Sequence, residues 1–506
     1  MADQLDQTAT HEARAAGPAF GFDNAYRRLP DRFHAAARPA PVASPRLLAF
    51  NRPLADELGL DADALLPHAA ALFSGNILPA DAEPIALAYA GHQFGGFVPS
   101  LGDGRAVLLG DLVDRRGNRR DVQLKGSGIT PFSRGGDGRA AIGPVLREYL
   151  VAEAMHALGV PTTRALAAVA TGERVYRDGF PPGAVLTRVA ASHIRVGTFQ
   201  YFAARRDADA VRTLVDHAVA RHHPDLADAP DRALGLFRRV MEAQAALVAR
   251  WMSIGFVHGV MNTDNTSVSG ETIDYGPCAF VDAFDPAAVF SSIDRQGRYA
   301  YGNQPVVMQW NLARFAETLL PLMAPDQDAA VEIANDALSA FPELYTARFL
   351  GRMRAKIGLS TEEDGDAELV QALLDAMHAG GADFTLTFRR LADAAADAAR
   401  MDGVRALSAE PAALDAWAER WAARTARDPR APAERSAAMR TANPAAIPRN
   451  HMVEAALAAA AEHGDLGPFR ALHEALARPF DDPPPGSPHL EPPPRPDAPY
   501  VTYCGT

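Results

Sequence analysis

The chain of 506 residues is 48% hydrophobic and 22% charged with a formal net charge of −12, the balance of a globular protein with a sizeable core and an argument against a nucleic-acid partner, which favours a basic face. No apolar run approaches the ~18–20 residues of a membrane span, and the polar stretch Met1–Gly17 has no apolar core of the kind a secretory signal carries, so a cytoplasmic protein without membrane contact is expected. The two cysteines, Cys278 and Cys504, form neither a disulfide framework nor a zinc site and fit a reducing compartment.

In chain order, residues 1–45 read as an irregular N-terminal arm. Residues 46–193 read as a Gly-rich, β-rich unit. Within it, "RAVLLGDLVD" and "RRDVQLKG" flank the turn "RRGN" and predict a hairpin. Alternation then puts Val122 and Leu124 on one face of the second strand and Gln123 and Lys125 on the other. The stretch Pro144–Gly159 predicts a helix, with Pro144 in the first turn, a Leu146, Leu150, Ala154, Leu158 stripe, and a Gly159/Pro161 stop. Gly183–Ala190 reads as a further strand. Residues 194–478 turn helical: Arg232–Gly255 carries Phe237, Met241, Ala245, Val248 and Met252 at helical spacing, and a second helix begins after Gln304. Residues 479–506 form a Pro-rich tail, an extended strap or a disordered one, that contains Cys504. The fold class expected is α+β, with a β-rich first half and a large helical second half.

Chemistry-bearing residues crowd into "GFVHGVMNTDNTSVSGETIDYGP", Gly255–Pro277. Its centre, "TSVSGETI", reads as two short strands around Ser269-Gly270, a hairpin that brings Asn265 to Asp274. One amide oxygen and one carboxylate, completed by phosphate oxygens and water, suit Mg²⁺. Asp264 can accept a proton from an attacking hydroxyl. An Asx-rich solvated turn is the competing reading. Lys125 and Glu148 can pair so that the ammonium meets a phosphate, or can be an ordinary surface salt bridge. "SLGDGRA" and "SRGGDGRAA" offer backbone N–H groups to phosphates, or are simply hairpin turns, and neither is a Walker A loop. Arg188 and Arg195 can clamp phosphates or lie on the surface.

Taken in order, the Gly-rich turn, strand lysine, helix glutamate, Asp/Asn loop and Asp-Tyr-Gly at Asp274–Gly276 are the parts of a protein kinase, with His258 at the place of the catalytic-loop histidine. There is no His-Arg-Asp, Asp264 and Asn265 are neighbours rather than separated, and no Ala-Pro-Glu element follows. An ordinary protein kinase is therefore not expected.

Together with "AGHQFGGFVPSLGDGRAVLLGD", "QLKGSGITPFSRGGDGRAAIGPVLREYL", "NQPVVMQWNLARFAETLLP" and "NPAAIPRNHMVEAAL", these motifs closely resemble the selenoprotein O family, kinase-like protein adenylyltransferases. The resemblance implies a two-lobed kinase-like fold in which ATP binds flipped, so that AMP, or UMP from UTP as a variant, passes to Ser, Thr or Tyr hydroxyls of protein substrates and pyrophosphate leaves. A γ-phosphoryl-transferring kinase and a non-catalytic nucleotide-binding scaffold are the alternatives. The resemblance further implies Mg²⁺ or Mn²⁺ held by Asn265 and Asp274, with Asp264 as proton acceptor and Glu148 as the ion-pair partner of Lys125. It places Gly102, Gly104, Arg105, Lys125, Asp137, Gly138, Arg188, Arg195 and Asp274 at the nucleotide. A monomer is expected. Cys278 and Cys504 are the one pair able to form an internal disulfide that could gate activity; two free thiols are the expectation, with Cys278 buried as a small apolar residue.

Overall fold

The structure is a computed structural model that describes residues 16–177, 179–494 and 500–502. Its centre is an antiparallel sheet. The strands are β1 (His34–Ala36), β2 (Arg46–Phe50), β3 (Ile85–Leu87), β4 (Ala106–Val113), β5 (Arg119–Lys125), β6 (Arg164–Arg174) and β7 (Pro182–Ala190). They lie in the order β1-β3-β4-β5-β7-β6-β2, and the two-residue strand Ala140–Ala141 adds to β7. The predicted β4–β5 hairpin is present, with Ala106 opposite Lys125 and Val113 opposite Arg119. The stretch before residue 46, expected to be irregular, supplies β1 as an edge strand, since its three residues pair with β3.

Period-two alternation sorts the sheet into two faces. Val107, Leu109, Val122, Leu124, Val185 and Val189 pack with Leu54, Leu72 and Phe73 of two short helices, Arg52–Glu57 and Ala69–Ser74. These helices were absent from the sequence reading, being only six residues each and thus too short for a helical stripe to register. On the opposite face, Ala184 and Leu186 pack with Leu146 and Leu150 of helix α1 (Ile142–Ala157). The same alternation therefore points Arg188, Gln123 and Lys125 toward α1. The register β5–β7 sets Lys125 opposite Leu186 and Gln123 opposite Arg188.

Beyond Ile194 the described chain is mainly helical. Helix α2 (Val196–Ala203) leads to α3 (Arg232–Ser253), then α4 (Gln304–Met323), α5 (Phe341–Lys356) and α6 (Asn450–His463). Most apolar side chains of this half form one continuous core, including Phe237, Val248, Trp251, Leu312 and Phe315. Helix α6 returns to the first half and packs Val453 and Leu457 on α1. Among the described residues no helix is long and apolar enough to cross a membrane. Among its described residues the Pro-rich tail includes the short helical turn Pro488–Leu490, and Thr502 docks on the body by donating to the Pro277 carbonyl at 2.8 Å. Cys278 is buried and unbonded, its thiol pushed up to about 12 by burial; Cys504 lies outside the described residues.

Arg449 ties the return to the loop after Asp274. It is 1% exposed and donates to Asp282 and to Asp383, each at 2.6 Å. The neighbouring Asn450 amide brackets both backbone groups of Phe280. Replacing Arg449 by Leu leaves the buried Asp383 carboxylate and the half-buried Asp282 carboxylate without their guanidinium. The Arg449→Leu protein is expected to lose about 3–5 kcal/mol of stability, read as a lower midpoint in urea. An unchanged midpoint would show that the cluster is not a structural tie.

Candidate active site

The loop Gly255–Pro277 is held by neighbours on every side. Trp251 of α3 donates its indole N–H to Thr272 Oγ1 at 2.9 Å, and Asn311 of α4 donates to the Met261 carbonyl at 2.9 Å. His258 Nε2 donates to the Ile273 carbonyl at 2.9 Å, which fixes the tautomer and holds the backbone just before Asp274. Asn262 accepts from the Phe94 N–H and from the Tyr299 hydroxyl.

The hairpin expected at Thr266–Ile273 does not form. Ser267 bridges Arg195 and Thr272 bridges Thr162 instead. The reason is burial: Val196 donates to the Thr266 carbonyl, Val268 to Ile194, and Thr272 to Pro161. Backbone groups that must be satisfied away from water are satisfied by neighbouring segments rather than by each other. Asn265 and Asp274 nonetheless line one cleft of about 400 Å³, together with Asp264, Gly104, Arg105, Lys125, Arg188 and Arg195.

Asp274 is the focus. Its φ of +64° lies in the left-handed region, uncommon for a residue with a side chain. Its carboxylate receives Lys125 Nζ at 2.5 Å, Arg188 Nη1 at 2.6 Å and Arg195 Nη1 at 2.7 Å. Burial alone would raise this carboxyl; the three cations outweigh it and hold it well below the usual carboxylate range. Glu148 meets Lys125 at 2.6 Å and Arg188 at 3.2 Å. The predicted lysine–glutamate pair is therefore a largely buried bridge rather than a surface one. Arg188 is buried, and its second nitrogen donates to Gln123 Oε1 at 2.6 Å. Arg195 also donates to the Asp264 carbonyl at 2.6 Å and lies 4.7 Å from the Tyr89 ring centroid.

Asp264 differs in character. Burial pushes its carboxyl up to about 6, against the pull of Arg195. Asp264 lines the cleft, and its Oδ1 is buried beside Gly91 with no hydrogen-bond partner among the described residues. Asn265 donates its amide N–H to the Val260 carbonyl at 2.9 Å, and its amide oxygen has no partner among the described residues. That oxygen and the Asp274 carboxylate fit an oxygen-preferring divalent cation. Among the described residues no three His, Cys, Asp or Glu side chains converge, so completing such a shell falls to ligand oxygens and water.

Not all predicted residues enter the cleft. Gly102 stands behind it at φ +66°, where a Cβ would strike the Phe132 ring at 2.3 Å. Gly138 packs on Gly128, outside the lining. Asp137 is exposed and paired with Arg177 at 3.0 Å, also outside the lining. Conversely, Tyr89, Gln93 and Arg134 line the cleft without having been singled out. Arg134 sat inside the quoted "SRGGDG" loop and Gln93 inside the quoted "AGHQFGG" motif, without a role assigned to either; Tyr89 carried no signal, because only the fold brings its turn to Asp264. Arg105, in contrast to Arg188 and Arg195, makes no ion pair among the described residues.

Five cationic side chains (Arg105, Lys125, Arg134, Arg188 and Arg195), a buried carboxylate and an amide oxygen around one cleft have the chemistry that suits a polyphosphate-bearing ligand. The family described as Protein adenylyltransferase SelO matches residues 19–477, and the chain belongs to that family. It is 60% identical over 499 residues to Protein nucleotidyltransferase YdiU of Rhizobium leguminosarum bv. trifolii (strain WSM2304), covering 99% of this chain and 100% of that protein. It is likewise 60% identical over 488 residues to the protein of the same name from Bradyrhizobium sp. (strain ORS 278), covering 96% and 99%. The chain is thus a protein nucleotidyltransferase by family.

Gly91 is a further position the sequence reading passed over. A Cβ there would stand 2.4 Å from Asp264 Oδ1 and 2.9 Å from its Cβ. Gly91→Ala is expected to displace the Asp264 carboxylate and lower kcat by about 10²-fold, the usual cost of a misplacement near 1 Å, with nucleotide binding little changed. Steady-state kinetics beside a nucleotide titration checks it; a wild-type kcat would show that Asp264 does not need this position.

Proposed function

We propose that the protein transfers AMP from ATP to Ser, Thr or Tyr hydroxyls of protein substrates. The observation that carries this reading is the convergence of Lys125, Arg105, Arg188 and Arg195 on the cleft that contains Asp264 and Asn265. In the proposed step the substrate hydroxyl oxygen bonds to the α-phosphorus, the bond from that phosphorus to the β-phosphate bridging oxygen breaks, and pyrophosphate leaves. Asp264 takes the hydroxyl proton. Pyrophosphate departs with more negative charge than a single strand lysine can balance, and the three arginines supply the rest at fixed positions. Asn265 and Asp274 would hold Mg²⁺ or Mn²⁺; such an ion supplies charge neutralisation at phosphate oxygens. Arg188 is already buried and Lys125 half-buried, both oriented by ion pairs, so they need little reorganisation when phosphates arrive.

This reading includes a two-lobed kinase-like arrangement, with residues 46–193 as the smaller lobe and 194–478 as the larger. The sheet with α1 on one face, and the largely buried Lys125–Glu148 bridge between them, support it. Residues 1–45 and 479–506 are then extensions, and Gly102, Asp137 and Gly138 shape the loops over the nucleotide.

ATP labelled at the α or the γ position separates the possibilities. Retention of the α label alone on protein is expected, with Asp264→Ala reducing labelling at least 10²-fold while the protein stays folded. Retention of the γ label alone would make the protein a kinase, and labelling unaffected by Asp264→Ala would remove the assigned proton acceptor. α-labelled UTP in parallel ranks UMP against AMP.

A further inference from the structure

A second concentration of positive charge lies outside the cleft. Where the last turns of α3 and α5 meet the turn after α1, a cavity of about 660 Å³ is lined by Arg250, Arg348, Arg352 and Lys356, and by no Asp or Glu. None of the four has a carboxylate partner among the described residues. Arg354 on the same helix, by contrast, bonds Asp366 and Glu362. Unpaired cations in a chain with a formal charge of −12 are not explained by a shortage of acids.

Lys356 is the sharpest member. The sequence has two lysines, Lys125 and Lys356, and the first sits in the active-site bridge. Lys356 is 3% exposed. Its ammonium lies 4.1 Å from the Phe388 ring centroid, a contact that suits a cation but supplies no countercharge. Burial, with Arg352 adding like-charge repulsion, pushes the amine down to about 7. Burial and the neighbouring Arg250 likewise lower Arg352 to about 10. Helix C-termini offset part of the charge, and Arg250 donates to the Gly159 carbonyl after α1. Each helix end carries only about half a unit charge, too little for four cations. Space is available as well: a Cβ on Gly351, between Arg348 and Arg352, would meet nothing within 4 Å.

We propose that this cavity binds a multiply charged phosphate anion, of nucleotide size or smaller, at a site separate from the Asp264–Asp274 cleft. Guanidinium forks match phosphate oxygens, and the volume falls in the range of small-molecule sites. An occupant would touch two segments that lead to the active site. Arg250 lies in the last turn of α3, which runs directly into the loop carrying Asp264. Gly159 precedes Pro161–Thr163, whose backbone bonds Thr272 beside Asp274. Free pyrophosphate and a nucleoside polyphosphate share the required chemistry.

The Lys125→Met protein leaves Lys356 as the one lysine and weakens phosphate binding in the cleft. It is acetylated with acetic anhydride at constant ionic strength in EDTA, and the Lys356 peptide is quantified by mass spectrometry. Pyrophosphate or ATP is expected to slow Lys356 acetylation at least fivefold. Protection by both marks the phosphates as the recognised group, and protection by ATP alone marks a nucleotide. Adding Arg250→Ala and Arg352→Ala is expected to abolish protection while the melting temperature without ligand stays close to that of the parent. Equilibrium dialysis with labelled pyrophosphate gives a second readout, one bound equivalent fewer after the double substitution. Equal stoichiometry in the two proteins, labelling indifferent to both anions, or protection that survives the double substitution overturns the proposal.

Discussion

Everything in the cleft depends on the carboxylate of Asp274, half-buried, held in a left-handed backbone conformation, and surrounded by Lys125, Arg188 and Arg195. Three separate elements deliver those cations. The alternation of β5 and β7 turns Lys125 and Arg188 to the face covered by α1, and Arg195 stands at the entrance to α2. Glu148 on α1 reaches two of the three. The backbone of Asp274 is fixed in turn by His258 one residue upstream and by the Gly276 N–H, which bonds the Asp274 carbonyl at 2.9 Å. A buried charge cluster of this kind is weak evidence for stability and better understood as positioning. It keeps strongly basic groups dry and aimed at one point.

The cluster also sets the terms on which a nucleotide enters. Without ligand, the cations face one carboxylate and a glutamate. On the proposed reading, phosphates would offer the same cations a more charged partner, and Asp274 would then be free to hold a divalent ion together with the Asn265 amide oxygen. The proposed chemistry is thus an exchange of partners within a site that is already built, while Asp264 stays apart from the cations except for its carbonyl bond to Arg195. Its carboxyl, raised by burial, is a better proton acceptor than a carboxylate locked among arginines.

Much of this was legible in the sequence, because it rests on local pattern. The β4–β5 hairpin, α1 with Glu148, β7 with Arg188, and α3 follow from alternation, helical stripes and turn residues. Asp264, Asn265 and Asp274 were legible as an unusual concentration of oxygen-bearing side chains, and the family resemblance sorted them into roles. What escaped depends on tertiary context. The stretch Thr266–Ile273 has hairpin-like composition, yet its backbone is satisfied by residues 161–163 and 194–196. Gly91 and Tyr89 matter only because their turn folds onto Asp264 and Arg195, a contact across more than a hundred residues. Asp137 looked like a cleft residue and instead pairs with Arg177 on the surface. The second basic cavity was invisible for a related reason: in an arginine-rich chain only folding shows which arginines lack a partner.

The central claim is that the cations around Asp274 are held for a phosphate chain. The most direct measurement is a crystal structure of the protein with Mg²⁺ and a non-hydrolysable ATP analogue. The account predicts that Lys125, Arg188 and Arg195 turn from the Asp274 carboxylate to phosphate oxygens, and that Asp274 and Asn265 share the metal. A bound nucleotide with all three cations still on Asp274, and the metal elsewhere, would contradict it.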